Sequence, residues 1–201
     1  MRRRSAAASC RASSEHEGTD ALSALLDTLA FVVGTLLNLA LFVALLRLFL
    51  QWSRADFRNP ISQAVVRLTN PLVMPLRRIL PPVGKIDTAS VVTVAIVALV
   101  DVAVIAGLRG YEPAIDAWLR DAAILILRIS LWTYFSAIFL YALLSLIAPG
   151  GYSPVQSLLT SLCEPILRPI RRLSKPIGGL DLSPLWACIA IQALIYLLDR
   201  L

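Results

Sequence analysis

Two pairs of adjacent arginines are the residues of this chain best suited to binding chemistry. They are Arg77 and Arg78 in the first pair and Arg171 and Arg172 in the second. A guanidinium group is planar, always charged and rich in paired N–H donors, so it binds phosphate or carboxylate groups. The pairs therefore predict either contact with the phosphates of anionic lipid or a dedicated site for a partner or substrate.

An aspartate near each arginine pair offers a third interpretation. Asp87 and Asp181 each come nine residues after the second arginine of a pair, beyond a Pro-x-Gly turn. Such a turn can fold the carboxylate back toward the guanidinium groups. The result would be a structural arginine–aspartate lock that needs no ligand, and the residues alone leave these interpretations open.

The arginines and aspartates belong to a longer motif that occurs twice, at a fixed offset of 94 residues. The first copy comprises Pro71, Pro75, Arg77, Arg78, Pro82, Gly84 and Asp87, and the second comprises Pro165, Pro169, Arg171, Arg172, Pro176, Gly178 and Asp181. Each copy lies between two long apolar stretches. This arrangement predicts a duplicated membrane hairpin of helix, polar Pro/Arg segment and helix.

Capping signals and prolines predict the local structure of each Pro/Arg segment. Asn59 and Ser153 each precede a proline, the pattern of a helix N-cap, and three- and four-residue apolar spacing follows as in an amphipathic interfacial helix. Pro75 has no N–H, so we expect the helix to be bent or broken there. Asp87 and Ser183 are expected to cap the apolar helices that follow.

Composition places the chain in a bilayer. Apolar residues make up 58% of the 201 residues, charged residues only 16%, and the mean hydropathy is +0.75. Four stretches approach the roughly 20 residues needed to span the hydrocarbon core: 28–50, 88–108, 122–147 and 184–198. We therefore predict an all-α integral membrane protein with four transmembrane helices in two tandem parallel repeats, residues 25–110 and 111–201.

The first 24 residues have a different composition. Four arginines among alanines and serines are compatible with an organelle transit peptide, but acidic residues follow closely. We expect a disordered polar tail, which an over-extended start site would also explain.

Charge distribution predicts the orientation. A repeat with two spans returns the chain to its starting side, so both Pro/Arg segments face one compartment. Residues 51–87 hold six lysines or arginines and the second segment adds four, whereas the turn on the other side is charge-balanced. The positive-inside rule then places both segments in the cytoplasm.

Two charged residues fall inside the predicted spans. Asp101 and Arg128 each lie about 10 Å from the same membrane face, because seven residues separate each from its helix end. They are expected to form an intramembrane pair. The pair would serve either as a proton or cation relay or simply in helix packing.

No catalytic or metal-binding constellation accompanies these features. The single histidine and the three scattered cysteines show no ligand spacing, so we expect no enzyme activity, no metal and no cofactor. The net charge of +6 favours anionic lipid as partner, and no nucleic acid is expected because no aromatic residues separate the basic ones.

The doubled motif resembles the YggT family of bacterial integral membrane proteins, over roughly residues 29–198. The two-copy form looks like the proteobacterial type, whereas the plastid YlmG and cytochrome b6 cofactor-assembly relatives typically keep one copy. The resemblance implies an inner-membrane location and roles in osmotic-stress tolerance, division-linked membrane organisation or cofactor assembly, without an agreed activity.

Two functional hypotheses follow. In the first, a non-enzymatic inner-membrane protein organises a membrane assembly by binding anionic lipid or a membrane-protein partner through the two arginine pairs. A homo-oligomer is also compatible with this hypothesis, because Gly34, Gly107 and alanine-rich helix faces permit close self-association. In the alternative, a small ion transporter or channel linked to osmotic stress uses Asp101 and Arg128.

Overall fold

Six α-helices form the regular structure of the described residues. The computed structural model describes residues 2–80, 87–147, 153–173 and 181–200, with only the backbone of 2–22 and 173. The helices are α1 (Arg2–Trp52), α2 (Pro60–Arg77), α3 (Thr88–Leu108), α4 (Ile115–Ile147), α5 (Pro154–Leu173) and α6 (Ser183–Leu198). No strand occurs within these ranges, so the all-α prediction is confirmed for them.

Three helices are long and apolar enough to cross a membrane. These candidate spans are Ser23–Trp52 within α1, Thr88–Leu108 and Ile115–Ile147. Helix α6 is equally apolar but has only 16 residues, about 24 Å of helix. Large apolar side chains are exposed on α1, α3, α4 and α6 alike, among them Phe31, Val100, Phe139 and Ile189. Exposed apolar surface on this scale is typical of a protein that faces lipid.

The helices pack as two similar groups of three. Helix α1 packs mainly on α3, α4 mainly on α6, and α2 and α5 each contact the two helices of their own group. Contacts of α3 with α4, α1 with α4 and α2 with α5 join the groups. The buried core between them includes Leu41, Ala98, Ile138, Leu162 and Ile191.

The N-terminal segment differs from the expectation. Backbone of residues 2–22 continues α1 as helix, where the composition predicted a disordered tail over residues 1–24. Alanine has the highest helix propensity of all residues, and the segment carries several alanines next to a long apolar helix that supplies the nucleus.

The prolines of the motif do not end the helices. Helix α2 continues through Pro71 and Pro75, and α5 continues through Pro165 and Pro169. Of the two alternatives predicted at Pro75, a bend or a break, the break is therefore excluded. All four prolines lie on exposed positions. Thr69 on the buried side of α2 donates to the carbonyls of Val65 and Val66, in the turn before Pro71.

Candidate functional site

The first arginine of the first pair is locked to the aspartate of its own motif copy. Arg77 donates to Oδ2 of Asp87 from Nη2 at 2.5 Å and from Nε at 3.1 Å. The same oxygen accepts from Ser90 Oγ at 2.9 Å and from Gln51 Nε2 at 3.4 Å. Because Gln51 lies in the last turn of α1, Arg77 is the last residue of α2 and Ser90 lies in the first turn of α3, one carboxylate ties three helices together.

The second motif copy builds the same lock from different neighbours. Arg171 donates from Nε to Asp181 Oδ2 at 2.8 Å, from Nη1 to Glu164 Oε2 at 3.1 Å and from Nη2 to Tyr141 OH at 3.0 Å. Asp181 in turn accepts at Oδ1 from the N–H and hydroxyl of Ser183, at 2.9 and 2.5 Å. This network ties α4 and α5 to the start of α6.

These hydrogen bonds set the protonation of both aspartates. Burial alone would raise the pKa of Asp87, but hydrogen bonds from Arg77 and Ser90 and the charge of Arg77 hold it below its ordinary value. The pKa of Asp181 is lowered in the same way, against burial, by Ser183 and Arg171. Both carboxylates are therefore charged near neutral pH, as the locks require.

The second arginine of each pair has other surroundings. Arg78 and Arg172 are exposed, and neither makes an ion pair or side-chain hydrogen bond with any described residue. The sequence did not distinguish the members of a pair. Arg77 and Arg171 form the locks, whereas Arg78 and Arg172, at the ends of α2 and α5, are unengaged within the described part of the chain.

The predicted caps are partly confirmed. Asn59 Oδ1 accepts from the N–H of Ile61 at 2.9 Å, and Ser153 Oγ accepts from the N–H of Gln156 at 3.1 Å. Asp87 occupies the N-cap position of α3 without a capping hydrogen bond, because Arg77 and Ser90 engage its carboxylate. Ser183 is the first residue of α6, where its own N–H is accepted by Asp181.

A buried arginine that the sequence reading missed joins α1 to α2 near the first lock. Arg47 in α1 is only 2% exposed. Its Nη1 donates to Thr69 Oγ1 at 2.7 Å and to Asn70 Oδ1 at 3.1 Å, immediately before Pro71. An arginine inside an otherwise apolar span was the available signal. Tyr141, which supports the second lock, lies 94 residues after Arg47.

Four motif residues lie outside the described part of the chain. They are Pro82, Gly84, Pro176 and Gly178. The Pro-x-Gly turns inferred from them therefore stay predictions.

Asp101 and Arg128 line one cavity without pairing. Arg128 instead forms an ion pair with Asp199 after α6, with Nη2 3.1 Å from Oδ1. Asp101 is 4% exposed, and its Oδ1 has no hydrogen-bond partner among the described residues. The predicted intramembrane pair is wrong, because α6 brings a second carboxylate to Arg128, and spacing along α3 and α4 could not reveal it.

Cysteine and carboxylate side chains are scattered over the residues that the structure describes. No group of three His, Cys, Asp or Glu side chains among them is arranged to hold an ion. Cys163 is fully buried in the core, and burial raises the pKa of its thiol to about 12, so it is protonated and packs as a small apolar residue.

The comparisons with known proteins agree on one family. The family model described as CCB3/YggT matches residues 26–108 and again residues 121–201. A Pseudomonas aeruginosa protein described as uncharacterized is 42% identical over 164 residues, which cover 81% of this chain and 83% of the relative. The YggT protein of Escherichia coli K12, also described as uncharacterized, is 38% identical over 80% of this chain and 83% of its own. No solved structure matches the chain.

Proposed function

This chain belongs to the CCB3/YggT family, and from that premise we propose that it is a non-enzymatic, four-span inner-membrane protein that organises its membrane surroundings by binding anionic lipid. The proposal rests on the different surroundings of the two arginines in each pair. One arginine holds the fold, and the other is exposed at the same end of the helix groups and has no side-chain partner among the described residues.

Geometry supports the two Pro/Arg segments acting together. Helices α2 and α5 contact each other, and Asn59 Nδ2 at the start of α2 donates to the carbonyl of Pro154 at the start of α5 at 2.6 Å. The buried residues of α2, among them Ser62, Val65, Thr69 and Val73, share one face. Such a helix fits the membrane interface, with its buried face on the spans and its arginines at head-group level.

The doubled family match supports a tandem repeat of parallel orientation. Each match covers two apolar helices with one Pro/Arg helix between them. In this arrangement α6 is the fourth span, and the positive charge near α2 and α5 favours cytoplasmic Pro/Arg segments. Arg78 and Arg172 then both face the leaflet that carries a negative surface potential.

The experiment compares lipid binding by wild type and an Arg78→Gln/Arg172→Gln variant. Native mass spectrometry of detergent-purified protein would measure binding of phosphatidylglycerol. At ~1 kcal/mol for each arginine near an anionic surface, we expect affinity to fall roughly 30-fold.

An Arg58→Gln/Arg67→Gln variant is the matched control, because it also removes two exposed positive charges near α2. We expect this control to lose far less affinity. An equal loss of lipid affinity in both variants would mean that the lipid responds to net charge in general. That result would refute a specific site at Arg78 and Arg172. If photo-crosslinkers at positions 78 and 172 captured a protein instead of lipid, the ligand of these arginines would be a protein partner.

A small ion transporter or channel is the second candidate. The cavity around Asp101 favours it, since a buried carboxylate beside open space is a feature of ion pathways. The missing Asp101–Arg128 pair weakens it, and the cavity lining comes from α1, α3, α4 and the end of α6, not from α2 or α5.

A further inference from the structure

A charged cavity lies at the end of the helix groups away from the arginine pairs. Its volume is about 620 Å³, and it sits between the N-terminal part of α1, the C-terminal end of α3, the start of α4 and the end of α6. The charged residues of its lining are Asp101, Arg109, Arg120, Asp121, Arg128 and Asp199. A cavity of this size holds a small molecule or a lipid head group.

Pairing within the cavity leaves one charge of each sign. Arg128 pairs with Asp199, and Arg120 lies 3.5 Å from Asp121. Asp101 and Arg109 are the remaining charged residues, and neither makes an ion pair within the described ranges. Two separated, uncompensated charges of opposite sign suit a zwitterionic ligand better than a simple ion.

Asp101 is a buried residue of this cavity lining with a carboxylate oxygen that is unsatisfied among the described residues. Its side chain is almost fully buried within α3, and the Oδ1 atom finds no donor in the described structure. Leaving a buried carboxylate oxygen unsatisfied costs free energy. A ligand that brings an N–H donor, above all a primary ammonium, would remove that cost.

An intramembrane groove continues from the cavity. It has a volume of about 360 Å³ and runs between α1 and α4. Asn38, Leu125 and Arg128 line both the cavity and the groove. The groove adds Phe42 and Trp132 to its walls. A charged cavity that opens into a largely apolar groove between two membrane spans has the shape of a lipid, with head group at one end and chain at the other.

We propose that the cavity and groove together bind one phospholipid whose head group carries a primary ammonium and a phosphate, as in phosphatidylethanolamine. The ammonium donates to Asp101, the phosphate faces Arg109, and an acyl chain lies along Phe42 and Trp132. This site is separate from the arginine pairs at the other end of the molecule, and it takes a different class of lipid.

Lipid selectivity measured by native mass spectrometry tests the proposal. Wild type is titrated with phosphatidylethanolamine, phosphatidylcholine and phosphatidylglycerol of matched chains. We expect the first to bind roughly tenfold more tightly than phosphatidylcholine, which has no N–H to donate to Asp101. Soluble phosphoethanolamine, which lacks acyl chains, should compete poorly; effective competition at equal concentration would refute the role of the groove.

Two variants identify the residues involved. Asp101→Asn should abolish the preference for phosphatidylethanolamine, whereas Asp116→Asn, an exposed aspartate outside the cavity, should leave it intact. Ser136→Trp fills the groove and should weaken the binding of all three lipids at this site. Arg78→Gln/Arg172→Gln should not alter the selectivity, which separates this site from the proposed anionic-lipid site.

The proposal is wrong if wild type shows no preference among the three lipids, or if folded Asp101→Asn keeps the preference. Equal losses in Asp101→Asn and Asp116→Asn would also exclude the site. Should Asp101→Asn fail to fold, Ser136→Trp decides the question, because unchanged binding in that variant would show that the groove is not occupied.

Discussion

At the scale of single residues, the two arginines of each pair have separate environments. Arg77 and Arg171 donate hydrogen bonds to carboxylates and, in the second copy, also to the hydroxyl of Tyr141. Arg78 and Arg172 project from the helix ends without described partners. Adjacent residues on a helix point about 100° apart, so only one of each pair can face the helix that carries the aspartate. Identical residue types therefore take different roles.

The lowered pKa values of the aspartates predict how stability depends on pH. A carboxyl group whose folded pKa lies below its ordinary value of 3.8 stabilises the fold above that value. This contribution is lost as the pH falls through the folded pKa. The melting temperature in detergent should therefore be level near neutral pH and decrease below about pH 4.

An Asp87→Asn/Asp181→Asn variant tests this origin of the pH dependence. We expect a lower melting temperature near neutral pH and a smaller further decrease in acid, because the charges that titrate are gone. An Asp56→Asn/Asp116→Asn variant removes two exposed aspartates outside the locks and serves as control. If the melting temperature of the lock variant decreased in acid as much as that of wild type, other titrating groups would cause the acid sensitivity.

At the scale of helices, the two motif copies reach the same geometry with different charges. The first copy joins Arg77 and Asp87, a net charge of zero, with Arg47 hydrogen-bonded to α2 nearby, whereas the second joins Arg171, Glu164 and Asp181, a net charge of −1. Both connect the three helices of a group near the start of its last helix. The shared requirement is a carboxylate and a guanidinium that cross from one helix to the next, and the neighbours vary around them.

The contact between α2 and α5 gives a prediction about helix docking. Asn59 caps α2 and also donates to Pro154, so Asn59→Ala should lose about 1 kcal/mol for the cap and about 1 kcal/mol for the hydrogen bond. Asn59→Ser keeps a cap but cannot reach Pro154 with an amide donor, and should lose only the second part.

Ser153→Ala is the control for this docking effect. It removes the corresponding cap of α5, whose hydroxyl accepts from Gln156, without touching the α2–α5 hydrogen bond. Reversible unfolding in mixed detergent micelles would measure the free energies. If Asn59→Ser were as stable as wild type, the hydrogen bond to Pro154 would contribute nothing.

At the scale of the whole molecule, the two ends of the helix groups carry different chemistry. The locks and the unengaged arginines lie where α3 and α6 begin, and the charged cavity lies where α3 and α6 end. Apolar side chains are exposed along the helices between these ends. The two proposed lipid sites thus belong to opposite leaflets.

Cysteine accessibility tests the proposed topology of four spans. With Cys10, Cys163 and Cys188 replaced by serine or alanine, single cysteines are placed at positions 78, 112, 172 and 200. A membrane-impermeant maleimide should label positions 78 and 172 from one side and positions 112 and 200 from the other. Position 200 labelled together with 172 would mean that α6 does not cross, and positions 78 and 172 on opposite sides would exclude parallel repeats.

Local regularities of the sequence determined the helical class, the bounds of α3 and the caps at Asn59 and Ser153. They could do so because apolar runs and capping side chains act within a few residues. The family resemblance rested on the same kind of evidence, a motif that recurs at a fixed spacing, and the doubled family match confirms it.

Tertiary structure alone decided the rest. Which arginine is locked, that Arg47 supports α2 and that Arg128 pairs with Asp199 depend on side chains far apart in the chain. Pro75 was expected to bend or break α2, yet the helix continues through it, packed on the other helices and hydrogen-bonded to Arg47 through Thr69 and Asn70. Periodicity and propensity report only on neighbours in sequence, whereas pairing of charges is set by which helix ends meet in space.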